Sequence, residues 1–182
     1  MAKARATLEQ ARLRNPRADE LWLEGVRTEL RAGNAKAAEA LLAKALQACP
    51  ASGALWAQAI AMAPRPARRA KSADALKRCA ADARVVAAVA SLFWADRKLD
   101  KARAWFSRAV ELDGDLGDAW AAYYKFEAAH GGPEAAAEVA RRCAAADPRH
   151  GEAWTRVSKD PARPRLSCEE VLKAVAEAME AP

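Results

Sequence analysis

The chain has 182 residues, of which just over half are apolar and only 6% aromatic, and it carries a formal net charge of +6. A composition rich in alanine, leucine and charged residues is typical of packed helices, and the lack of any run of about 18 apolar residues excludes a membrane-spanning helix. The positive charge permits an RNA or an acidic protein as a partner without establishing either one.

The first half of the chain contains helical patterns that are separated by proline, glycine or asparagine, residues that commonly end helices. These patterns predict five helices, over residues 3–14, 20–32, 36–49, 55–63 and 68–80. The helix over residues 3–14 is expected to be the second helix of a truncated repeat. The chain is therefore expected to be a fragment of a longer protein.

A basic segment with two prolines, Pro64 to Lys71, separates the fourth helix from the fifth. Its prolines and its four positive charges predict a solvated loop, so that the fifth helix could begin as late as Ser72. The alternative is a basic loop that contacts phosphate groups or an acidic partner. The candidate residues of this basic loop are Arg65, Arg68, Arg69 and Lys71.

The second half of the chain predicts six further helices, over residues 84–97, 100–112, 118–130, 134–146, 152–158 and 171–179. Before the last of them, Ser167 and Glu170 have the spacing of a capping box, in which each side chain accepts a hydrogen bond from a backbone N–H of the helix start. Residues 167–180 are expected to form a capping helix at the end of a repeat array.

A tryptophan marker recurs along the chain at intervals of 34, 64 and 34 residues, at Trp22, Trp56, Trp120 and Trp154. A degenerate marker at Val86 divides the long interval into 30 and 34 residues. Small residues or prolines recur at fixed distances before each marker. Such a period predicts an all-α fold, an α-solenoid of antiparallel helix pairs with about five repeats of about 34 residues plus a terminal helix, in one array over residues 1–182.

The repeat, with a tryptophan early in its first helix and Glu29 or Glu127 seven residues later, resembles the half-a-tetratricopeptide (HAT) repeats of RNA-processing proteins. Longer segments resemble the C-terminal repeats of the pre-mRNA-processing factor 6 family. They are ARATLEQARLRNP, LWLEGVRTELRAG, AKALQACPASGALW, LFWADRKLDKARAWFSRAVELDGDLGDAWAAYYKFEAAHG and ADPRHGEAWTRVSKD. The resemblance implies a HAT- or TPR-like superhelix in a nuclear splicing scaffold that bridges subparticles of the spliceosomal tri-snRNP and has no enzymatic activity.

Motifs for catalysis, metals or cofactors are missing from the sequence. It contains neither a phosphate-binding Gly-x-x-x-x-Gly-Lys loop nor a Gly-x-Gly-x-x-Gly fingerprint, and neither histidine has a convincing nucleophile motif beside it. The four cysteines are widely spaced, which favours buried thiols over disulfides or a zinc site. Glu29 and Glu127 occupy equal places in the repeat, which favours a structural role between repeats. We therefore expect no enzyme activity, no catalytic residue, no metal and no cofactor.

A charged face is predicted along the first helix of each repeat. Positions two residues before and five residues after the marker lie on one helix face, and three of the five repeats carry an acid at the first position and a base at the second. One interpretation is complementarity to the helix dipole together with solubility. The other is a concave groove that binds a mixed-charge helix or peptide. Candidate partner-binding residues are Glu20, Arg27, Arg84, Trp94, Asp118, Lys125, Glu152 and Lys159.

Trp94, eight residues after the degenerate marker, is a candidate hot-spot anchor, and a role in the core or between repeats is the alternative. The predicted function is a nuclear, non-enzymatic scaffold for protein–protein interaction in pre-mRNA splicing, which helps tri-snRNP assembly by binding other tri-snRNP proteins. The alternatives are an RNA-contacting module that uses the basic loop, and a generic TPR-type adaptor unrelated to splicing. Neither a membrane nor a small-molecule substrate is expected as a partner.

Overall fold

The computed structural model describes residues 2–162 and 165–179, and it contains a helix at each place where the sequence predicts one. The fold is all-α. In chain order the described helices are α1 (Ala2–Arg14), α2 (Asp19–Arg31), α3 (Ala35–Ala48), α4 (Gly53–Met62), α5 (Arg65–Cys79), α6 (Ala83–Ala95), α7 (Leu99–Leu112), α8 (Gly117–His130), α9 (Gly132–Ala146), α10 (Glu152–Ser158) and α11 (Cys168–Ala178). The predicted capping helix over residues 167–180 corresponds to α11, and residue 180 lies outside the described residues.

Side-chain caps fix several of the helix starts. The hydroxyl of Ser52 accepts a hydrogen bond from the backbone N–H of Leu55, and the carboxylate of Asp82 accepts one from that of Arg84. The predicted capping box of Ser167 and Glu170 is confirmed at the start of α11. These side chains satisfy N–H groups that have no partner within their own helix.

The prediction of a loop over Pro64 to Lys71 is wrong, because α5 begins at Arg65. Pro64 is the N-cap residue and Pro66 lies in the first turn. A proline in the first turn removes no helical hydrogen bond, since the N–H groups there have no partner within the helix, and its fixed φ suits the helix start. The basic residues of this segment therefore belong to a helix.

The chain divides into two compact units, the first up to Ala80 and the second from Ala81 onwards. In the first unit, α2 packs against α1 and α3, and α4 packs against α2, α3 and α5. Small side chains form part of this core, and Ala38, Ala45 and Ala75 are completely buried. Val26, Leu42, Leu55 and Ile60 fill the rest of this core.

The second unit has a larger, aromatic core. Phe106 stacks on Tyr123 and contacts Phe126, and Trp120 and Trp154 are buried in the same cluster. The helix α11 packs against α8, α9 and α10, with Val171, Leu172 and Val175 in the core. None of the described helices is long and apolar enough to cross a membrane.

Candidate protein-interaction surface

The marker tryptophans fix the turn that precedes their own helix. The indole N–H groups of Trp22, Trp56 and Trp120 each donate a hydrogen bond to the carbonyl oxygen six residues earlier, at 2.8, 2.9 and 2.8 Å. The acceptors are Pro16, Pro50 and Gly114. The bond connects the helix to the turn before it, and it provides the acceptor that a buried or half-buried indole N–H group needs.

The repeated glutamates join successive helices, which confirms the structural role predicted for them. Arg5 on α1 binds both carboxylate oxygens of Glu29 on α2, at 2.6 and 2.9 Å. Arg103 on α7 binds Glu127 on α8 in the same way, at 2.7 and 3.1 Å. Each arginine lies 24 residues before its glutamate. Planar two-bond pairs of this kind are among the strongest in proteins.

Each pair changes the pKa of one of its members. The Arg5 guanidinium, with help from the Asn34 amide, holds the pKa of Glu29 below its usual value. The hydrogen bond to Glu127 raises the pKa of Arg103. Both shifts favour the charged forms, so Glu29 is not suited to act as a proton donor near neutral pH.

Asp118, a candidate partner-binding residue, caps the start of α10. Its carboxylate accepts hydrogen bonds from the backbone N–H groups of Glu152 at 2.7 Å and Trp154 at 2.8 Å. A carboxylate at a helix N-terminus is favourable because unpaired N–H groups and the helix dipole are both positive there. Asp118 thus has a capping role within the second unit.

Lys125, on the same helix as Asp118, caps the C-terminal end of α11. Its ammonium group donates hydrogen bonds to the carbonyl oxygens of Ala176, at 2.9 Å, and of Met179. The last carbonyl groups of a helix have no partner within it, and a cation is favourable there. Lys125 therefore ties α11 to α8.

Trp94 is half-buried and has several packing neighbours. Its ring lies edge-on to Phe106, Phe126 and His130, and its indole N–H donates to Nε2 of His130 at 2.8 Å. These contacts favour a role between helices over an exposed anchor for a partner.

The other candidates differ in exposure. Arg27 is half-buried, whereas four are exposed: Glu20, Arg84, Glu152 and Lys159. The exposed set contains charges of both signs. That these residues bind a partner stays a prediction.

The residues of the predicted basic loop lie on the first turns of α5. Arg65, Arg69 and Lys71 are exposed. Arg68 is half-buried, and its Nε donates to the carbonyl oxygen of Ala63 at 3.0 Å, so it helps to hold the turn between α4 and α5.

Sequence reasoning missed the two capping roles. Asp118 lies 34 residues before Glu152, one repeat length, which was a usable signal. Lys125 and Ala176 are 51 residues apart and no periodicity relates them. Among the described residues, no three histidine, cysteine, aspartate or glutamate side chains are grouped so that they could hold a metal ion.

Comparison with known proteins identifies relatives over almost the whole chain. The pre-mRNA-splicing factor prp1 of Schizosaccharomyces pombe is 41% identical over 170 residues, which are 93% of this chain and 19% of that protein. Human pre-mRNA-processing factor 6 is 55% identical over 112 residues, 62% of this chain and 12% of the relative. The chain is homologous to a segment of the pre-mRNA-processing factor 6 family. The resemblance predicted from the sequence is thereby confirmed.

Protein STABILIZED1 of Arabidopsis thaliana is a further relative, 52% identical over 117 residues, which are 64% of this chain and 11% of that protein. The chain thus spans less than a fifth of the length of the curated relatives it matches. No protein-family model matches the chain.

Solved structures with a similar fold are helical-repeat proteins. MamA from Desulfovibrio magneticus RS-1 has a TM-score of 0.54 at 15% identity, over 80% of this chain and 85% of that one. YrrB, described as a TPR protein with an unusual peptide-binding site, has a TM-score of 0.50 at 18% identity, over 82% and 79% of the two chains. The predicted fold class, an all-α helical-repeat solenoid of TPR-like type, is confirmed.

Proposed function

We propose that this chain is a non-enzymatic scaffold that binds other proteins during pre-mRNA splicing. The observation that carries the proposal is the identity of 41% over 93% of the chain to a protein named as a pre-mRNA-splicing factor. Identity at this level includes surface residues as well as the core. The TPR-like fold adds support, since arrays of helix pairs expose long surfaces that suit protein partners.

Within splicing, the proposed task is to help assemble the tri-snRNP in the nucleus by contact with other tri-snRNP proteins. This step rests on the resemblance of the repeats to the pre-mRNA-processing factor 6 family. The proposed contact residues are exposed charges on the predicted face of each unit, Glu20 in the first unit and Arg84, Glu152 and Lys159 in the second. Exposed charges of both signs fit a mixed-charge partner, and they contribute more to specificity and to association rate than to affinity.

Affinity purification from nuclear extract tests the proposal. The tagged chain is expected to recover splicing proteins, and tri-snRNP components among them. A variant with Glu20→Lys, Arg84→Glu and Lys159→Glu is expected to recover clearly less of them. Within the described residues, those three side chains make no hydrogen bond or ion pair, so the fold should persist, which far-ultraviolet circular dichroism would check.

A matched control reverses three exposed charges on α3, with Glu39→Lys, Lys36→Glu and Lys44→Glu. The change in net charge is the same as in the first variant, and recovery should stay at the wild-type level. Equal recovery by both variants would reject the charged face but not the splicing role. Recovery of other proteins without any splicing protein would reject the splicing role and favour a generic TPR-type adaptor.

A further inference from the structure

The net charge of the chain is concentrated in its first unit. Residues 1–80 contain 15 basic and 7 acidic residues, a net charge of +8, whereas residues 81–182 contain 15 basic and 17 acidic residues, a net charge of −2. The overall value of +6 therefore hides a strongly basic unit. A concentrated positive charge is the expected property of a surface that binds a polyanion.

Within the first unit, α5 carries the largest share of this charge. Six of its 15 residues are basic and only Asp74 is acidic. Ser72, Ala75 and Cys79 are buried, so this side of the helix faces the core. The basic residues exposed to solvent on the rest of α5 are Arg65, Arg69, Lys71, Lys77 and Arg78, and we call them the α5 basic face.

Several cations of the α5 basic face have no acidic partner. Within the described part of the chain, Arg65, Lys71 and Lys77 make no ion pair and no side-chain hydrogen bond. Some exposed basic residues of the second unit do have acidic partners. Arg149 binds Asp147 at 3.1 Å, and Lys173 lies 3.8 Å from Glu169. The unpaired cations leave a field that an external anion can neutralise.

The exposed face of α5 offers charge but no apolar anchor. Its uncharged exposed residues are Pro66, Ala70 and Ala73, which are small. Stable protein–protein contacts usually depend on a few large aromatic, aliphatic or arginine side chains that become buried in pockets. Binding to a nucleic-acid backbone needs only cations within reach of the phosphates. The observations thus favour a nucleic acid over a protein.

We propose that the α5 basic face binds the phosphate backbone of RNA. The distance from Arg65 to Lys77 along the helix is about 18 Å at 1.5 Å per residue, which is long enough to contact several phosphates of one strand. The binding should be independent of sequence, because no aromatic side chain on this face can stack on bases. This inference concerns other residues than the proposed protein-binding ones and does not depend on them.

Fluorescence anisotropy with a labelled 20-nucleotide single-stranded RNA of mixed sequence tests the proposal on the full chain. The wild type should bind at low salt, and the logarithm of its affinity should fall linearly with the logarithm of salt concentration. The double variant Lys71→Gln and Lys77→Gln should bind on the order of tenfold more weakly, and its salt slope should be smaller by about 1.4, since each lost contact to a single strand removes about 0.7. The duplex of the same sequence distinguishes single-stranded from double-stranded backbone.

The matched control is Arg149→Gln with Lys173→Gln, which removes the same two positive charges from side chains that already have acidic partners. Its affinity and salt slope should match the wild type. An equal loss in both double variants would overturn the proposal, because it would show an effect of net charge alone. So would the absence of RNA binding by the wild type at low salt.

A poly-glutamate peptide with a charge similar to that of the RNA is the last ligand in the experiment. If the chain binds this peptide but not RNA, an acidic protein is the partner and the proposal is overturned. Thermal unfolding of each variant confirms that Lys71 and Lys77, both exposed, can be changed without loss of the fold.

Discussion

Two ion pairs occupy the same place in the repeat yet differ in burial. The side chain of Glu127 is 2% exposed, and that of Glu29 is 15% exposed. Both carboxylates depend on an arginine 24 residues earlier, Arg103 or Arg5. Burial determines how much stability is lost when a pair is broken, since an unpaired carboxylate costs far more free energy inside a protein than near water.

Arg103→Ala should destabilise the chain much more than Arg5→Ala does. Removing Arg103 leaves the buried carboxylate of Glu127 without its partner, at a cost of about 3 kcal/mol in the free energy of unfolding. Removing Arg5 should cost well under half of that, because water can reach Glu29. Urea unfolding followed by circular dichroism measures both values.

A second variant separates the lost pair from the lost arginine stem. Replacing both partners, with Arg103→Met and Glu127→Leu, should recover most of the stability, because buried ion pairs can often be replaced by apolar side chains of similar volume. If Arg103→Ala and Arg5→Ala lower the free energy of unfolding by the same amount, burial does not determine how much these pairs contribute to stability.

At the scale of helices, the sequence predicted which segments are helical and where the marker tryptophans stand. Hydrophobic periodicity and the turn residues report on one helix at a time. They could not show that Lys125 binds the end of α11, because that contact joins residues 51 positions apart. The helix α5 starts earlier than the sequence predicts, because Pro64 and Pro66 stand at the start of the helix and not in a loop before it.

Contacts between turns also join residues that are close in space but far apart in the sequence. The backbone N–H of Gly117 donates to the carbonyl oxygen of His150 at 2.7 Å, and the backbone N–H of His150 donates to that of Asp115 at 3.1 Å. The pair of turns brings the ring of Trp154 directly against Gly117. The start of α8 therefore has no room for a side chain at residue 117.

Gly117→Ala should destabilise the second unit by about 1–3 kcal/mol or more, because a Cβ there would overlap the buried ring of Trp154, which cannot move without disturbing the core. Gly114→Ala is the control. A Cβ at residue 114 would meet its nearest neighbours at 3.8 Å, an ordinary contact, so the change should stay within about 0.5 kcal/mol. Thermal unfolding of the two variants compares them directly, and equal melting temperatures would contradict the close approach.

Across the whole molecule, both units contain carboxylates that are stabilised in the ionised form. Hydrogen bonds from Arg5 and Asn34 lower the pKa of Glu29. The backbone N–H of Arg149 and then the His150 side chain lower the pKa of Asp115. The Ser167 hydroxyl and backbone N–H lower the pKa of Glu170. Each group binds its proton less readily in the folded chain than in the unfolded chain. The free energy of unfolding must therefore decrease as the pH falls into the acid range.

The pKa of Glu29 is lowered on folding, so its contribution to stability is fully present above the pKa of an unfolded glutamate, about 4.3, and is lost as the pH falls through the lower folded pKa. The free energy of unfolding of the wild type should therefore decline below about pH 5. Glu29→Gln should be less stable at neutral pH, and its curve should converge with that of the wild type in acid, where the wild-type carboxyl is protonated as well. Glu39→Gln, which changes an exposed glutamate on α3, should follow the wild-type curve throughout. Urea titrations at a series of pH values measure the three curves. If the difference in free energy of unfolding between Glu29→Gln and the wild type stays constant into acid, the charge of Glu29 is not what stabilises the contact between α1 and α2.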